Sequence, residues 1–156
     1  MSKPTSSHAY GIAIIAMIVG MAAGISYYQL FYIPELTAKP KIAEEVLNPT
    51  EETLIHMVKG ASNKDQQDNF VPKLVNLQLG VDNKVVWENI DEVAHTVTLD
   101  ANVNFEDKYS GKFGSVGVVK PGTKYEFLFT QPAEITYHCE PHPWMTGKII
   151  ITEKRF

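Results

Sequence analysis

The chain has 156 residues, a hydrophobic content of 44% and a formal net charge of -4 at pH 7. This length allows one compact domain and a membrane segment, but not two separate hydrophobic cores. The acidic balance argues against nucleic-acid binding, which depends on a basic surface. The single cysteine excludes an internal disulfide, a two-cysteine binuclear copper centre and a cysteine-rich zinc site.

An uncharged, apolar segment covers residues 10–33, after a short tail over residues 1–9. It is longer than the roughly 20 apolar residues that a bilayer-spanning helix needs. Aromatic residues, which prefer the headgroup region, collect at its far end: Tyr27, Tyr28, Phe31 and Tyr32. We predict a single transmembrane anchor. A cleaved signal peptide is the competing interpretation, but its apolar region would be only about 7–15 residues long.

Residues 34–51 contain three prolines together with lysine and glutamate, and show weak periodicity. We predict a stalk, with a possible short helical turn in KIAEEVL. Lysines lie on both sides of the apolar segment, so the positive-inside rule does not decide its orientation.

Residues 52–156 are predicted to form an all-β domain. Short alternating or β-branched runs are separated by turn residues: TLIHMVK, KLVNLQL, KVVWE, HTVTL, KYEFLF, ITYHC and GKIIIT. This arrangement predicts a Greek-key β-sandwich rather than a parallel sheet. The segment VDNK predicts a hairpin between KLVNLQL and KVVWE. Residues 100–117 are expected to be a long excursion with little strand pairing.

Two histidines lie within predicted strands. Alternation in HTVTL places His95, Val97 and Leu99 on one face, which we expect to point into the core. His56, in the first strand, is predicted to be a surface or half-buried side chain rather than a metal ligand.

The segment YHCEPHPWMTGKIII places a thiol, an imidazole and a thioether within seven residues, at Cys139, His142 and Met145. Soft sulfur ligands with imidazole select copper, and two nitrogens, one thiolate and a weak axial thioether describe a blue-copper electron-transfer site. Such sites take their second nitrogen from an earlier strand. We therefore predict one copper ion bound by four residues: His95, Cys139, His142 and Met145.

Prolines flank His142 on both sides, at Pro141 and Pro143. Each fixes its own φ near -65° and lacks a backbone donor, so the loop is predicted to be rigid. A rigid site lets a copper ion change charge with little rearrangement. His142, beside Trp144, is expected to lie near the surface as the route by which the electron leaves.

The ligand loop resembles that of cupredoxins, and its short Cys-x-x-His-x-x-Met spacing is similar to that of amicyanin. The resemblance extends over residues 52–153, through PKLVNLQLG, KVVWEN, HTVT and VVKPGTKYEFLFT. Two positions depart from the family pattern. The residue after the first histidine is usually an asparagine that ties the two ligand loops together, and here it is Thr96. The residue after the cysteine is Glu140.

The resemblance implies a type 1 copper protein that carries single electrons between redox partners, with its C-terminal domain outside the cytoplasm. Together with the apolar segment at residues 10–33, it predicts a membrane-anchored carrier. Partner proteins, such as a cytochrome, an oxidase or another copper protein, are expected to dock near His142 and Trp144. The alternative is a small copper enzyme that acts on a small nitrogen oxide, if Met145 leaves the axial position open. Copper delivery is less favoured. A delivery site must release its ion and would be expected to carry several exposed Met, Cys or His residues, whereas the predicted ligands here are few and held in a rigid loop.

Three acidic residues are predicted near the copper end of the domain: Asp91, Glu92 and Glu140. We interpret them as a solvated rim, with a docking patch for a basic redox partner as the alternative.

Overall fold

The computed structural model describes residues 6–37 and 42–153. The chain divides into two units, Met1–Lys39 and Pro40–Phe156. The first unit is helical: α1 (Ser6–Tyr27) continues through a π-helical turn (Tyr28–Tyr32) into α2 (Ile33–Thr37).

The helical unit contains an apolar stretch of 27 residues, Tyr10–Leu36, with a mean hydropathy of 1.8. Within the described residues it is the one helix that is long and apolar enough to cross a membrane. A signal sequence near the N-terminus would meet the same criteria, so the choice of an anchor stays a prediction. Stacked rings at its far end, Tyr27 with Phe31 and Tyr28 with Tyr32, lie where the sequence placed the aromatic cluster.

The second unit begins with a short helix, α3 (Glu44–Leu47), which confirms the helical turn predicted in KIAEEVL. Val46 packs against the hydrophobic core, and its carbonyl accepts a hydrogen bond from Asn83 Nδ2 at 2.9 Å. This part of the predicted stalk is therefore held against the strands.

Two four-stranded sheets form the body of the second unit, with the strand orders β2-β1-β4-β8 and β3-β10-β9-β5. The strands are β1 (Glu52–Met57), β2 (Phe70–Val71), β3 (Leu74–Gln78), β4 (Lys84–Asn89), β5 (Thr98–Leu99), β6 (Glu106–Asp107), β7 (Gly111–Lys112), β8 (Lys124–Leu128), β9 (Ala133–His138) and β10 (Thr146–Thr152). The sheets are mixed, because β1 with β4 and β3 with β10 pair in parallel. The predicted all-β sandwich is confirmed, and β9 pairs with β10 as an antiparallel hairpin across the ligand loop.

The excursion over residues 100–117 contains only the small hairpin β6–β7 among its described strands. The turn of this hairpin is fixed by Asp107, a buried carboxylate at the end of β6. Asp107 accepts hydrogen bonds from the backbone N–H groups of Tyr109, Ser110 and Thr130. The expectation of little pairing in this region is confirmed.

The prediction of a hairpin at VDNK is wrong. A turn is present, with Val81 N donating to Gln78 O at 3.1 Å, but it carries the chain from β3 in one sheet to β4 in the other. Asn83 directs the crossing, because its buried amide donates to the carbonyls of Val46 and Phe129. Local turn chemistry sets the turn, whereas burial of β4 between β1 and β8 sets the pairing.

The core lies between the two sheets and is rich in aromatic rings. Trp87 on β4 contacts Tyr137 on β9 and Phe113, with ring centroids 5.7 Å apart in both pairs. Gly147 faces Tyr137 across the β9–β10 pair, and the tyrosine ring occupies the space that a Cβ on Gly147 would need. The inward alternation of β9 continues past its end to Cys139, which is completely buried.

Candidate metal centre

Three of the four predicted ligands converge at one end of the sandwich. The donor atoms of His95, Cys139 and His142 all lie within 4.8 Å of one another. The two Nδ1 atoms are 3.2 Å apart, and Cys139 Sγ lies 3.7 Å from His95 Nδ1 and 3.6 Å from His142 Nδ1. The structure thus brings His95 to a loop that lies 44 positions later in the chain.

This triangle of donors fits a metal ion. Separations of 3.2, 3.6 and 3.7 Å leave a point about 2 Å from each donor atom. Bonds from zinc, another first-row ion, to imidazole nitrogen and thiolate are about 2.0–2.3 Å long. One thiolate with two imidazoles is also the equatorial donor set of blue-copper sites.

His95 reaches the site from a short bridge between two segments. Its backbone exchanges hydrogen bonds with Val119, at 3.1 Å for His95 N to Val119 O and 2.7 Å for the reverse pair. The side chain is completely buried, which confirms the inward orientation predicted from HTVTL. Of that predicted strand, only Thr98–Leu99 is regular β structure.

The ligand loop closes through hydrogen bonds between the ligand residues themselves. His142 N donates to Cys139 O at 3.1 Å, Met145 N donates to His142 O at 2.9 Å, and Cys139 N donates to Met145 O at 3.1 Å. The flanking prolines have no N–H to offer as competing donors. Met145 is completely buried at the end of this loop. Its role as axial ligand stays a prediction.

Thr96 ties the two ligand segments together. The backbone N–H of Glu140 donates to Thr96 Oγ1 at 2.8 Å, and Thr98 Oγ1 donates to the same oxygen at 3.1 Å. Thr96 N also donates to Cys139 Sγ at 3.3 Å. The departure from the family's asparagine therefore does not remove the hydrogen bond between the loops, because a threonine hydroxyl makes it.

Asp91 is a site residue that the sequence reasoning assigned to the wrong environment. The carboxylate is only 5% exposed, whereas Glu92 and Glu140 are exposed as a rim would be. Its Oδ2 accepts a hydrogen bond from His95 Nε2 at 2.9 Å. The spacing of four residues before a predicted ligand was the signal that could have identified it, since metal-bound histidines commonly donate to a carboxylate.

The electrostatics favour metal binding by the thiol. Burial raises the pKa of Cys139, but hydrogen bonds from His95 and from the Thr96 backbone outweigh burial and hold that pKa below its ordinary value. Burial and the nearby charge of His95 lower the pKa of His142. A thiol that readily loses its proton and a neutral imidazole are the forms that bind metal ions, and the pKa shifts of Cys139 and His142 favour them. Burial lowers the pKa of His95, but hydrogen bonds with Cys139 and Asp91 raise it above its ordinary value, so metal binding competes with a proton at that ring.

His142 is the only one of the three donors that is half-buried rather than buried. Its ring lies beside Trp144, with centroids 5.3 Å apart. Trp144 is held in turn by a hydrogen bond from its Nε1 to Ala61 O at 3.2 Å. The site therefore approaches the surface through His142 and an indole that is fixed in place.

The other histidines of the domain lie outside the cluster. His56 is half-buried on β1, as predicted, and its Nδ1 lies 3.5 Å from a carboxylate oxygen of Glu88. His138 Nδ1 donates to Asp100 Oδ1 at 2.5 Å. Alternation along β9 places His138 on the face opposite Cys139.

Comparison with known proteins identifies the family. The family model for copper binding proteins of the plastocyanin/azurin family matches residues 56–152. Amicyanin from Paracoccus denitrificans is 32% identical over 75 residues, which cover 48% of this chain and 53% of that protein. The chain spans about half the length of the curated relatives it matches.

Two solved structures share the fold. A purple cupredoxin from Nitrosopumilus maritimus aligns with a TM-score of 0.53 at 22% identity, over 64% of this chain and 99% of that one. A copper-containing nitrite reductase from Thermus scotoductus aligns with a TM-score of 0.52 at 21% identity, over 74% of this chain but 28% of that one. With its donor triangle at one end of a matching sandwich, the chain belongs to the copper-binding plastocyanin/azurin family: it is a cupredoxin.

Proposed function

We propose that this cupredoxin is a membrane-anchored type 1 copper protein that carries single electrons between redox partners outside the cytoplasm. The observation that carries the proposal is the donor triangle itself. It joins two imidazoles and a thiol from distant segments, with only His142 reaching towards solvent. Such a site holds an ion firmly and still offers one edge to a partner.

His95, Cys139 and His142 are the proposed equatorial ligands, and Met145 is the proposed axial ligand. Copper, when bound, supplies the one-electron couple. The protein holds the geometry constant. Thr96 fixes the two segments to each other, and the backbone hydrogen bonds of the ligand loop fix the separations within it.

Electrons are proposed to enter and leave through His142. The imidazole of His142 lies between two exposed prolines, Pro141 and Pro143, and with the neighbouring ring of Trp144 it forms the half-buried part of the site. A small apolar contact of this kind suits a short-lived complex with a cytochrome, an oxidase or another copper protein.

The membrane assignment rests on the apolar helix Tyr10–Leu36. In this proposal residues 10–33 form a single-pass anchor, residues 34–51 form a stalk and residues 52–156 form the copper domain. The C-terminal domain would then face the periplasm or the outer surface. An anchor of this type would keep the carrier close to membrane-bound partners.

The burial of Met145 favours a carrier over a copper enzyme. An enzyme acting on a small nitrogen oxide needs an open coordination position. Met145 is completely buried, and its amide and carbonyl are both hydrogen-bonded within the ligand loop. A methionine side chain buried at this end of the ligand loop supports a closed site.

The test is copper reconstitution of the full chain in detergent. We expect an intense thiolate-to-copper absorption band, unchanged by added nitrite, and reversible uptake of one electron per chain. His142→Ala should alter the band and slow electron exchange, whereas His56→Ala, a half-buried histidine outside the site, should change neither. A colourless reconstituted protein, or a band that shifts on adding nitrite, would contradict the proposal.

A further inference from the structure

The loop over residues 58–69, between β1 and β2, is closed by its own hydrogen bonds. Val58 N donates to Asn69 O at 3.0 Å, which joins the two ends of the loop. Inside it, Gln66 Nε2 donates to two backbone carbonyls of the same loop, at 2.6 and 3.0 Å. Compact surface loops with close ends, packed by their own side chains, are frequently functional. This loop carries none of the proposed ligands, so any role it has must be exerted through a contact.

Trp144, in the ligand loop, is attached to the 58–69 loop at two points. Its indole Nε1 donates to Ala61 O at 3.2 Å. Its backbone carbonyl accepts a longer hydrogen bond from Asn69 Nδ2, at 3.5 Å. Ala61 and Asn69 are both buried, at 0% and 3% exposure. The side chain and the backbone of the tryptophan are therefore both held by residues that are themselves packed in place.

The ring of Trp144 lies against the most accessible donor of the site. The rings of His142 and Trp144 have centroids 5.3 Å apart and planes at 58° to each other. His142 is half-buried, whereas His95 and Cys139 are buried. A half-buried side chain has fewer packed neighbours to restrain it than a buried one. The indole occupies one side of the imidazole and so limits its movement.

We propose that the loop over residues 58–69 is a clamp on Trp144, and that Trp144 keeps the His142 ring in one position when the site gains or loses an electron. Trp144 is then a positioning residue, because it acts on a proposed ligand. This inference rests on the proposed function, in which His142 is both a ligand and the route of the electron. A ring that shifts at each transfer adds rearrangement to the step, so the clamp speeds electron exchange.

The two tryptophans of the chain provide the first test. Trp144→Phe keeps an aromatic ring beside His142 and removes the donor to Ala61 O. Trp87→Phe is the matched control, because Trp87 is completely buried in the aromatic core. In the copper-loaded full chain in detergent, Trp144→Phe should slow electron self-exchange between the copper(I) and copper(II) forms. Trp87→Phe should lower the thermal stability and leave self-exchange unchanged. Unchanged self-exchange in Trp144→Phe, or equal slowing in both variants, would overturn the proposal.

A second pair of variants alters the clamp without changing Trp144. Gln66→Ala removes two hydrogen bonds inside the loop, and Gln67→Ala, at the exposed neighbouring position, is its control. The measurement is hydrogen exchange of the Trp144 indole N–H in the metal-free full chain, so this arm does not depend on copper. Exchange should be about 5- to 30-fold faster in Gln66→Ala, which corresponds to the loss of one or two neutral hydrogen bonds. No change in Gln66→Ala, or an equal change in Gln67→Ala, would contradict the clamp.

A measurement on the unsubstituted metal-free chain covers the case in which these variants do not fold. Its proton NMR spectrum should contain two indole N–H signals, one from each tryptophan. The Trp144 signal, identified by nuclear Overhauser contacts with the His142 ring, should also show contacts with Ala61 and exchange slowly with solvent. Exchange as rapid as in free indole would overturn the inference. A colourless copper-loaded protein would instead contradict the proposed function, and the metal-free measurement would still decide whether the clamp exists.

Discussion

Two buried asparagines at opposite ends of β4 make similar hydrogen bonds for different purposes. Asn83 precedes the strand and donates to the carbonyls of Val46 and Phe129, while its oxygen accepts from Gly80 N. Asn89 ends the strand and donates to the carbonyls of Val93 and Val119, while its oxygen accepts from Asp91 N.

The difference lies in what the two asparagines connect. Asn83 links α3, the turn after β3 and the residue that follows β8, and none of these segments carries a proposed ligand. Asn89 links the two segments that form the bridge of His95 with Val119. An asparagine side chain therefore stabilises the fold at one end of β4, and another stabilises the metal centre at the other end.

The largest effect should come from Cys139→Ser. This change removes a proposed ligand at the end of the sandwich near Asn89 and leaves the contacts of Asn83 intact. We expect complete loss of the intense absorption band, because an alcohol does not replace a thiolate as a soft ligand. Near-ultraviolet circular dichroism should still report a folded metal-free domain. An unchanged band would rule out Cys139 as the copper ligand.

Removal of copper should have the next largest effect. A ligand that binds only the folded state adds about 4 kcal/mol to the free energy of unfolding when its free concentration is 1,000 times Kd. Thermal unfolding of the full chain in detergent, with copper and after chelation, measures this increment. The increment should be the same in Asn83→Ala as in the unsubstituted protein, and smaller in Asn89→Ala.

The two asparagine variants themselves test the comparison most directly. Each variant removes three hydrogen bonds between the asparagine side chain and the backbone, at about 1 kcal/mol per bond, so we expect a loss of about 3 kcal/mol in unfolding free energy. Paramagnetic resonance of the copper(II) form should differ from the unsubstituted spectrum in Asn89→Ala only. Equal spectral changes in both variants would show that the two ends are not distinct.

Thr96→Val should have the smallest effect. The change keeps the shape of the side chain and removes the acceptor for Glu140 N, at a cost of about 1 kcal/mol. Thr98→Val is its control, because it removes only the donor to Thr96 Oγ1. Chemical unfolding should rank Thr96→Val as the less stable variant, and the opposite ranking would contradict the role assigned to Thr96.

The sequence predicted the sandwich and the three converging donors because both follow from local signals. Alternation fixed the faces of β9 and β10, and residue chemistry with spacing identified Cys139 and His142. The β3–β4 crossing could not be predicted from VDNK, because a turn motif does not report which sheet receives the next strand. Asp91 was misplaced for a related reason: its partners Gly60 and Ser62 are about 30 residues away.

The parallel pairing of β10 with β3 has a consequence for when the metal can be acquired. Residues 148–152 align with residues 74–78, so the last strand joins its sheet across more than 70 positions of the chain. Contacts between such distant positions close late in folding. The Cys139–Met145 loop is anchored by that same strand. The cysteine is therefore expected to remain accessible until β10 has paired with β3, and copper is expected to enter the assembled sandwich rather than a chain in which this pairing has not formed.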